Sequence, residues 1–259
     1  MKRYRFDLPT PRSYVTQDLI HDALVAAFCE AGATSKQVVG PNSLPWNFAP
    51  LTAGGRYDAN RGISTRRLRS LVVSSADPTV SAWLEQIQGE HIVAARALSA
   101  EMISLVGATK FEEKAPFVRH QESTAVHWMS PFLRRAYRSG DAPEKSAWEI
   151  DPKVMEKHSP GQSLARRLGR EGDLGLFWAA DRLALRGGVR RYCVDLKVHP
   201  QTGQAMWVSG TMVPFVLCGP TESLALAWYA GLGAKTRMGF GCWDTQPEVP
   251  AERAKGGAR

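Results

Sequence analysis

Apolar positions recur along this chain at two spacings, and the switches between them predict its elements. Arg3 to Leu8 alternates basic and apolar residues, a first strand that Pro9 and Pro11 interrupt. Leu19, Ile20, Leu24, Ala27 and Phe28 then fall at helical spacing, with Thr16 or Asp18 as the cap and Gly32 as the stop. Turn formers fill Gly40 to Trp46. Residues 47–51 read as an edge strand, and Gly54 to Gly62 as a turn. Leu68 to Ser75 is a strand centred on Val72 and Val73. Asp77-Pro78 opens a helix that turns Val80, Trp83, Leu84 and Ile87 inward, and a closing strand is expected beyond His91. This order fits an α+β sandwich of the ferredoxin type. Ala94 to Val106 suits either a strand or a helix.

A charged run, Lys110 to Lys114, lies between Gly107 and Pro116 and marks a boundary. It divides the chain into an expected first domain over 1–115, a second over 116–245, and a tail over 246–259. Ala125 to Tyr137 contains an apolar strand, and residues 139–162 are turn-rich. Leu164 to Leu185 looks helical but is broken by Gly169, Gly172 and Gly175, with arginines on one side and Leu174, Leu176, Phe177 and Trp178 on the other. It is expected as a helical insertion that either clamps RNA or packs across a sheet. Arg190 to His199 and Ala205 to Leu217 read as two strands joined by residues 200–203, and Thr221 as the cap of a helix ending near Tyr229. Internal repetition is too faint to imply duplication.

At 259 residues the chain can fill one large core or two small ones. No stretch approaches a membrane span, and no apolar signal segment follows the charged amino terminus. The four cysteines are widely spaced, with no metal-binding pair, and read as thiols in a reducing, cytoplasmic compartment. The formal charge is +8, from 33 Lys and Arg against 25 Asp and Glu, and its distribution is uneven. Arg56 to Arg69 carries five arginines against Asp58 alone; Arg166 to Arg191 carries seven against Glu171, Asp173 and Asp181. Arginine's planar fork suits phosphate, so these runs suit a polyanionic partner; a solvated basic face explains them as well. Eight tryptophans serve core packing or base stacking equally well.

The stretch Gly231-Leu232-Gly233-Ala234-Lys235-Thr236-Arg237-Met238-Gly239-Phe240-Gly241 sets two glycine pairs around two cations. It matches neither the phosphate loop ending in Lys-Ser/Thr nor the dinucleotide fingerprint. Two readings stand: a helix end followed by a flexible hairpin, or a loop with exposed amides and fixed cations that lies against a phosphate chain.

That loop, with its paired glycines and intervening Lys235, resembles the repeat-processing endoribonucleases of CRISPR systems, in the repeat-associated mysterious protein superfamily. Leu68 to Ile87 and the two strand-like runs before the loop support the resemblance. It implies two ferredoxin-like (RRM-like) domains and cleavage of precursor CRISPR RNA within its repeats, with retention of the guide. The implied partners are a repeat hairpin, the mature guide and effector-complex subunits, with no membrane. The implied chemistry is attack of a 2′-hydroxyl on the neighbouring phosphate, giving a 2′,3′-cyclic phosphate without metal or other cofactor.

Under the resemblance, the RNA-binding candidates are Arg56, Arg66, Arg67, Arg166, Arg167, Arg170, Arg182, Arg186, Arg190 and Arg191. Gly231, Gly233, Lys235, Arg237, Gly239 and Gly241 join them from the loop. The catalytic candidates are His21 in the first helix, Tyr14 upstream, Lys36 and Arg61. Relatives carry a histidine near the first helix or in the loop after it; this loop offers Lys36, Asn42 and Asn47 and no histidine. The departure resembles the divergent members of minimal type IV systems. It leaves room for arginine-assisted cleavage, or for an inactive subunit that only binds repeat RNA. His91, His120, His127, His158 and His199 show no metal-ligand spacing and read as structural or surface residues.

Overall fold

The computed structural model describes residues 1–40, 42–58, 63–96, 101–134, 159–180, 191–199, 202 and 204–245. The first strand, β1 (Lys2–Tyr14), runs straight through both prolines. It does so because its pairing with β3 breaks between Asp7 and Arg12, so neither proline is asked for a ladder hydrogen bond. Tyr4, Phe6 and Leu8 enter one core, while Arg3 points to the opposite face. Helix α1 (Gln17–Glu30) follows, buries Leu19, Ile20, Ala23, Leu24, Ala27 and Phe28, and ends two residues before Gly32, whose φ is 98°. A single turn, α2 (Ser35–Val38), leads into β2 (Asn47–Asp58) and β3 (Ile63–Ser75). Both strands are longer than their apolar centres suggest.

Asp77 caps α3 (Pro78–Gln86), its carboxylate accepting from the amides of Thr79 and Val80. The ambiguous stretch 94–106 gives strand: β4 (Val93–Arg96) pairs with β5 (Glu101–Ser104) and packs on α1, and Leu105 and Val106 lead into the turn after β5. The closing strand is β6 (Thr109–Glu112), inside the charged run assigned to a boundary. It is an edge strand whose Lys110 ammonium donates to the carbonyls of Leu84, Glu85 and Ile87 at 2.6–2.8 Å, so charge there serves packing. The sheet order is β2-β3-β1-β6.

The second half repeats this plan. β7 (Ser123–Trp128), α4 (Pro160–Arg167), β8 (Phe177–Ala180), β11 (Phe215–Cys218), α5 (Thr221–Ala230) and β12 (Trp243–Asp244) give the sheet β12-β7-β11-β8. Both halves are therefore βαββαβ units with spatial order four-one-three-two, the ferredoxin-like arrangement. The arginine-rich stretch is helical only to Arg167, then passes its glycines into β8; residues 181–190 lie outside the described ones.

Residues 205–217 divide at Met212 to Pro214. β10 (Ala205–Thr211) pairs with β9 (Arg191–Val198) as a separate ribbon, and β11 joins the sheet. The break is held where the Trp128 indole donates to Val213 O at 2.7 Å. Thr221 does not cap α5: Pro220 holds that position, and the Thr221 hydroxyl donates to Gln121 O.

Two cores result, one per unit, with a seam between them formed by Ala49, Leu51, Val72, Cys242 and Met129. Strand alternation builds the seam: Phe48, Leu71 and Val73 face the first core, and their neighbours face the second unit. Trp46, Trp228 and Trp243 are fully buried, whereas Trp207 on β10 stands 59% exposed. Among the described residues no helix is long and apolar enough to cross a membrane.

Candidate nucleic-acid interface

The glycine-rich loop leaves α5 at Gly231 and returns at β12, lodged where the two units meet. All four glycines have positive φ, between 71° and 82°. Two positions show why no other residue serves. A Cβ on Gly241 would lie 1.7 Å from Leu232 O, because the loop closes on itself through Leu232 N to Gly241 O. One on Gly239 would lie 2.2 Å from the Gln17 amide nitrogen, which donates to Met238 O and Gly239 O at 2.7 Å. Gln17 thus ties the loop to the start of α1, and Asn47 ties its base to β2 by donating to Tyr229 O at 3.2 Å.

The expected row of exposed amides is largely spent inside the protein. The N–H groups of Leu232, Ala234, Met238, Gly239 and Gly241 all donate to protein carbonyls. What the loop presents outward is side chains. Lys235, left-handed at φ 55°, is exposed, and Arg237 is half-buried in the short 3-10 turn Thr236–Met238.

Beneath the loop, Arg167 on α4 donates to the carbonyls of Ala230, Gly231 and Gly233. Burial pulls its guanidinium down to about 10, and the neighbouring Arg237 charge pulls the same way; burial also lowers Arg237. Neither arginine has a carboxylate partner among the described residues, and Arg167 Nε and Arg237 Nη1 are buried donors without acceptors. Two adjacent cations with unspent donors form an uncompensated positive centre, a state that an anion relieves.

A cleft of about 450 Å³ opens beside Gln17, between β2–β3 of the first unit and β7 and β9 of the second. Arg66 reaches into it and is fixed by donating to Cys193 O at 2.9 Å. Tyr14 lies opposite Arg66 in the β1–β3 register and is buried; desolvation pushes its phenol up to about 12 against the pull of the Arg66 charge.

The remaining expected residues are scattered. His21 is 13% exposed, stacks on Trp46 with ring centres 5.6 Å apart, and holds Nδ1 3.3 Å from an Asp22 carboxylate oxygen. Lys36, Arg56, Arg67, Arg166 and Arg170 are exposed on α2, β2, β3, α4 and the turn after α4. Arg61, Arg182, Arg186 and Arg190 lie outside the described residues, as does the Arg191 side chain. Gln17, which holds the loop, had no signal beyond a polar residue at a helix start. His127 lines the cleft, although its spacing in sequence pointed to nothing.

Residues 184–245 match the family model described as CRISPR associated protein Cas6, C-terminal. None of the curated proteins matches the chain in sequence. Among solved structures, a RAMP protein binding different RNA substrates superposes with a TM-score of 0.66 at 14% identity, over 95% of this chain and 100% of that one. A Cas6-related gene product from Pyrococcus furiosus gives 0.65 at 14% identity, over 96% and 99%. A CRISPR associated protein Cas6 gives 0.58 at 12% identity, over 95% and 99%. The chain shares the fold of these RAMP and Cas6 structures, and its glycine-rich loop lies within the segment that matches the Cas6 carboxyl-terminal model.

Proposed function

We propose that this chain is a cytoplasmic, metal-independent endoribonuclease that cuts precursor CRISPR RNA within its repeats and retains the guide. The observation that carries this reading is the pair Arg167 and Arg237, cations without acids at a glycine loop, in a Cas6-family fold. The similar RAMP and Cas6 structures supply the substrate class. Residues 1–115 and 116–245 serve as its two domains, with a repeat hairpin lying on the basic residues of both. In the reaction, a 2′-hydroxyl attacks the adjacent phosphate, and the 5′-oxygen leaves with a proton. The nucleophile belongs to the RNA, so the protein needs only to move protons and hold the pentacoordinate charge. Arg237 and Lys235 are the loop's cations for the RNA backbone. Exposed Arg56, Arg67, Arg166 and Arg170 suit backbone contacts, which dominate recognition of double-stranded RNA. His21 and Tyr14 are the proton-transfer candidates given by the resemblance, and Lys36 and Arg61 are further cations. Membership of the minimal type IV branch belongs to the same proposal.

The test is incubation of CRISPR repeat RNA with the protein in EDTA. One specific cut with a 2′,3′-cyclic phosphate end is expected. Tight binding without that product replaces the enzyme with a repeat-binding subunit of an effector complex, the reading favoured by the absence of histidine from residues 31–46.

A further inference from the structure

Resting on that reading, we infer that the proton-transfer imidazole of this chain is His127 on β7, working with Arg66 in the cleft between the two units. Strand alternation delivers it there. Val126 and Trp128 enter the second core, so His127 between them faces the first unit. The β7–β12 register sets Asp244 opposite His127, so the two residues share one face of the sheet. Asp244 is itself held, its Oδ1 accepting from Thr245 N at 2.7 Å and its Oδ2 3.4 Å from Arg3 Nη2. Across the cleft, Arg66 is anchored on Cys193 O, and a phosphate seated there would meet a fixed cation and an imidazole. A proton acceptor and a charge-stabilising cation are the parts that this reaction needs.

His21 lacks that setting. Its ring is stacked on buried Trp46, its Nδ1 faces Asp22, and it lines none of the described clefts. Gln17 closes the argument from the other side, since it both lines the cleft and holds the glycine loop. RNA lying on the loop is therefore carried to the mouth of the cleft that holds His127.

The step balances without a further reactant. His127 takes the proton of the 2′-hydroxyl, the O2′–P bond forms and the P–O5′ bond breaks. The leaving 5′-oxygen takes a proton from water, and the imidazolium gives its proton to the hydroxide left behind. The charged and titratable groups around His127 are Arg66 on β3 and Tyr192 and Cys193 on β9, which line the same cleft, and Asp244 on β12, its partner in the strand register.

The experiment is single-turnover cleavage of a CRISPR repeat hairpin RNA with its single-stranded flanks, in EDTA, across pH 5 to 9. The unaltered protein, His127→Ala, His127→Gln and His21→Ala are compared. Binding is measured in parallel with the same RNA carrying a 2′-deoxy nucleotide at the cut. Both His127 variants should cut about 100-fold slower or worse, lose the rise of rate with pH, and bind the deoxy RNA within threefold of the unaltered protein. Loss of the rise in His21→Ala, with both His127 variants unaffected, returns the proton transfer to His21 and overturns the assignment. Normal cutting by either His127 variant overturns the assignment alone. An unaltered protein that binds the repeat and leaves it intact overturns the endonuclease reading, and the assignment with it.

Discussion

The Arg3 guanidinium carbon lies 4.0 Å from the ring centre of Trp228, which joins the second residue of β1 to α5. Arg3 is fully buried, donates to Trp243 O at 2.8 Å and to Glu113 at 2.7 Å, and faces Asp244. It therefore bridges the two units with a charge whose desolvation is met by acid, carbonyl and ring together. Truncating Arg3 leaves the Trp243 carbonyl without its donor and takes one cation from each of the half-buried acids Glu113 and Asp244. Arg3→Ala should cost about 3–5 kcal/mol, read as a lower urea midpoint. Arg3→Lys should recover only part of this, because an ammonium cannot span the same fork. An unchanged midpoint for Arg3→Ala would show that the units hold together without the bridge.

The two arginines at the glycine loop should separate cleanly by stability. Arg167 spends its donors on three carbonyls, and hydrogen bonds to charged groups contribute roughly 1.5–3 kcal/mol each way. Arg167→Ala should therefore lower thermal stability and RNA affinity together. Arg237 has a buried nitrogen with no acceptor and sits against a like charge. Arg237→Ala should leave stability unchanged or raise it, while weakening repeat RNA and reducing the slope of log affinity against log salt by about one. An Arg237→Ala protein that binds RNA with an unaltered salt slope would remove Arg237 from the phosphate contact.

Gly241 offers a control that touches no charge. A Cβ there cannot be placed without moving Leu232 O, and φ of 71° adds strain of about 1–3 kcal/mol for any L side chain. Gly241→Ala should stay folded by circular dichroism yet lose RNA affinity about tenfold, since the loop that carries Lys235 and Arg237 must be rebuilt. Gly54→Ala, at a positive φ but with open space around it, should leave binding within twofold. Equal losses at both positions would point to general destabilisation.

Local chemistry carried much of this fold into view. Helical spacing from Leu19 to Phe28, the Asp77-Pro78 cap and the valine-rich strands were legible because neighbours in sequence decide them. β1 was cut short at Pro9 because prolines ordinarily end a strand, and only the irregular pairing with β3 excuses them here. The division of β10 from β11 was hidden for a similar reason: it depends on Trp128, far back in the chain, reaching Val213 O. The glycine loop announced itself, but its amides did not reveal that they were already satisfied. Nor could sequence sort Arg167 from Arg166, adjacent residues of which one is fastened under the loop and the other is exposed. His127 and Arg66 acquire a joint meaning only where two units meet.

Alkaline stability should report the seam and the cleft independently of RNA. Cys242 is buried in the seam, and burial pushes its thiol from near 9 up to about 11; Tyr14, beside the cleft, is raised from 10.0 to about 12. In both groups the folded value lies above the unfolded one, so the stabilisation is whole below the unfolded value and is lost as pH rises through the folded value. Unfolding free energy should therefore fall between about pH 9 and 12, by a few kcal/mol per group at most. Cys242→Ala should flatten the part between 9 and 11, and Tyr14→Phe the part between 10 and 12, whatever each does to stability at pH 7. The buried thiol should also resist alkylation at pH 8 in the folded protein, while exposed Cys29 and Cys193 react. Equal reaction of Cys242 with those two would mean that the seam opens on the timescale of the labelling, and that the cleft beside it is not a fixed site.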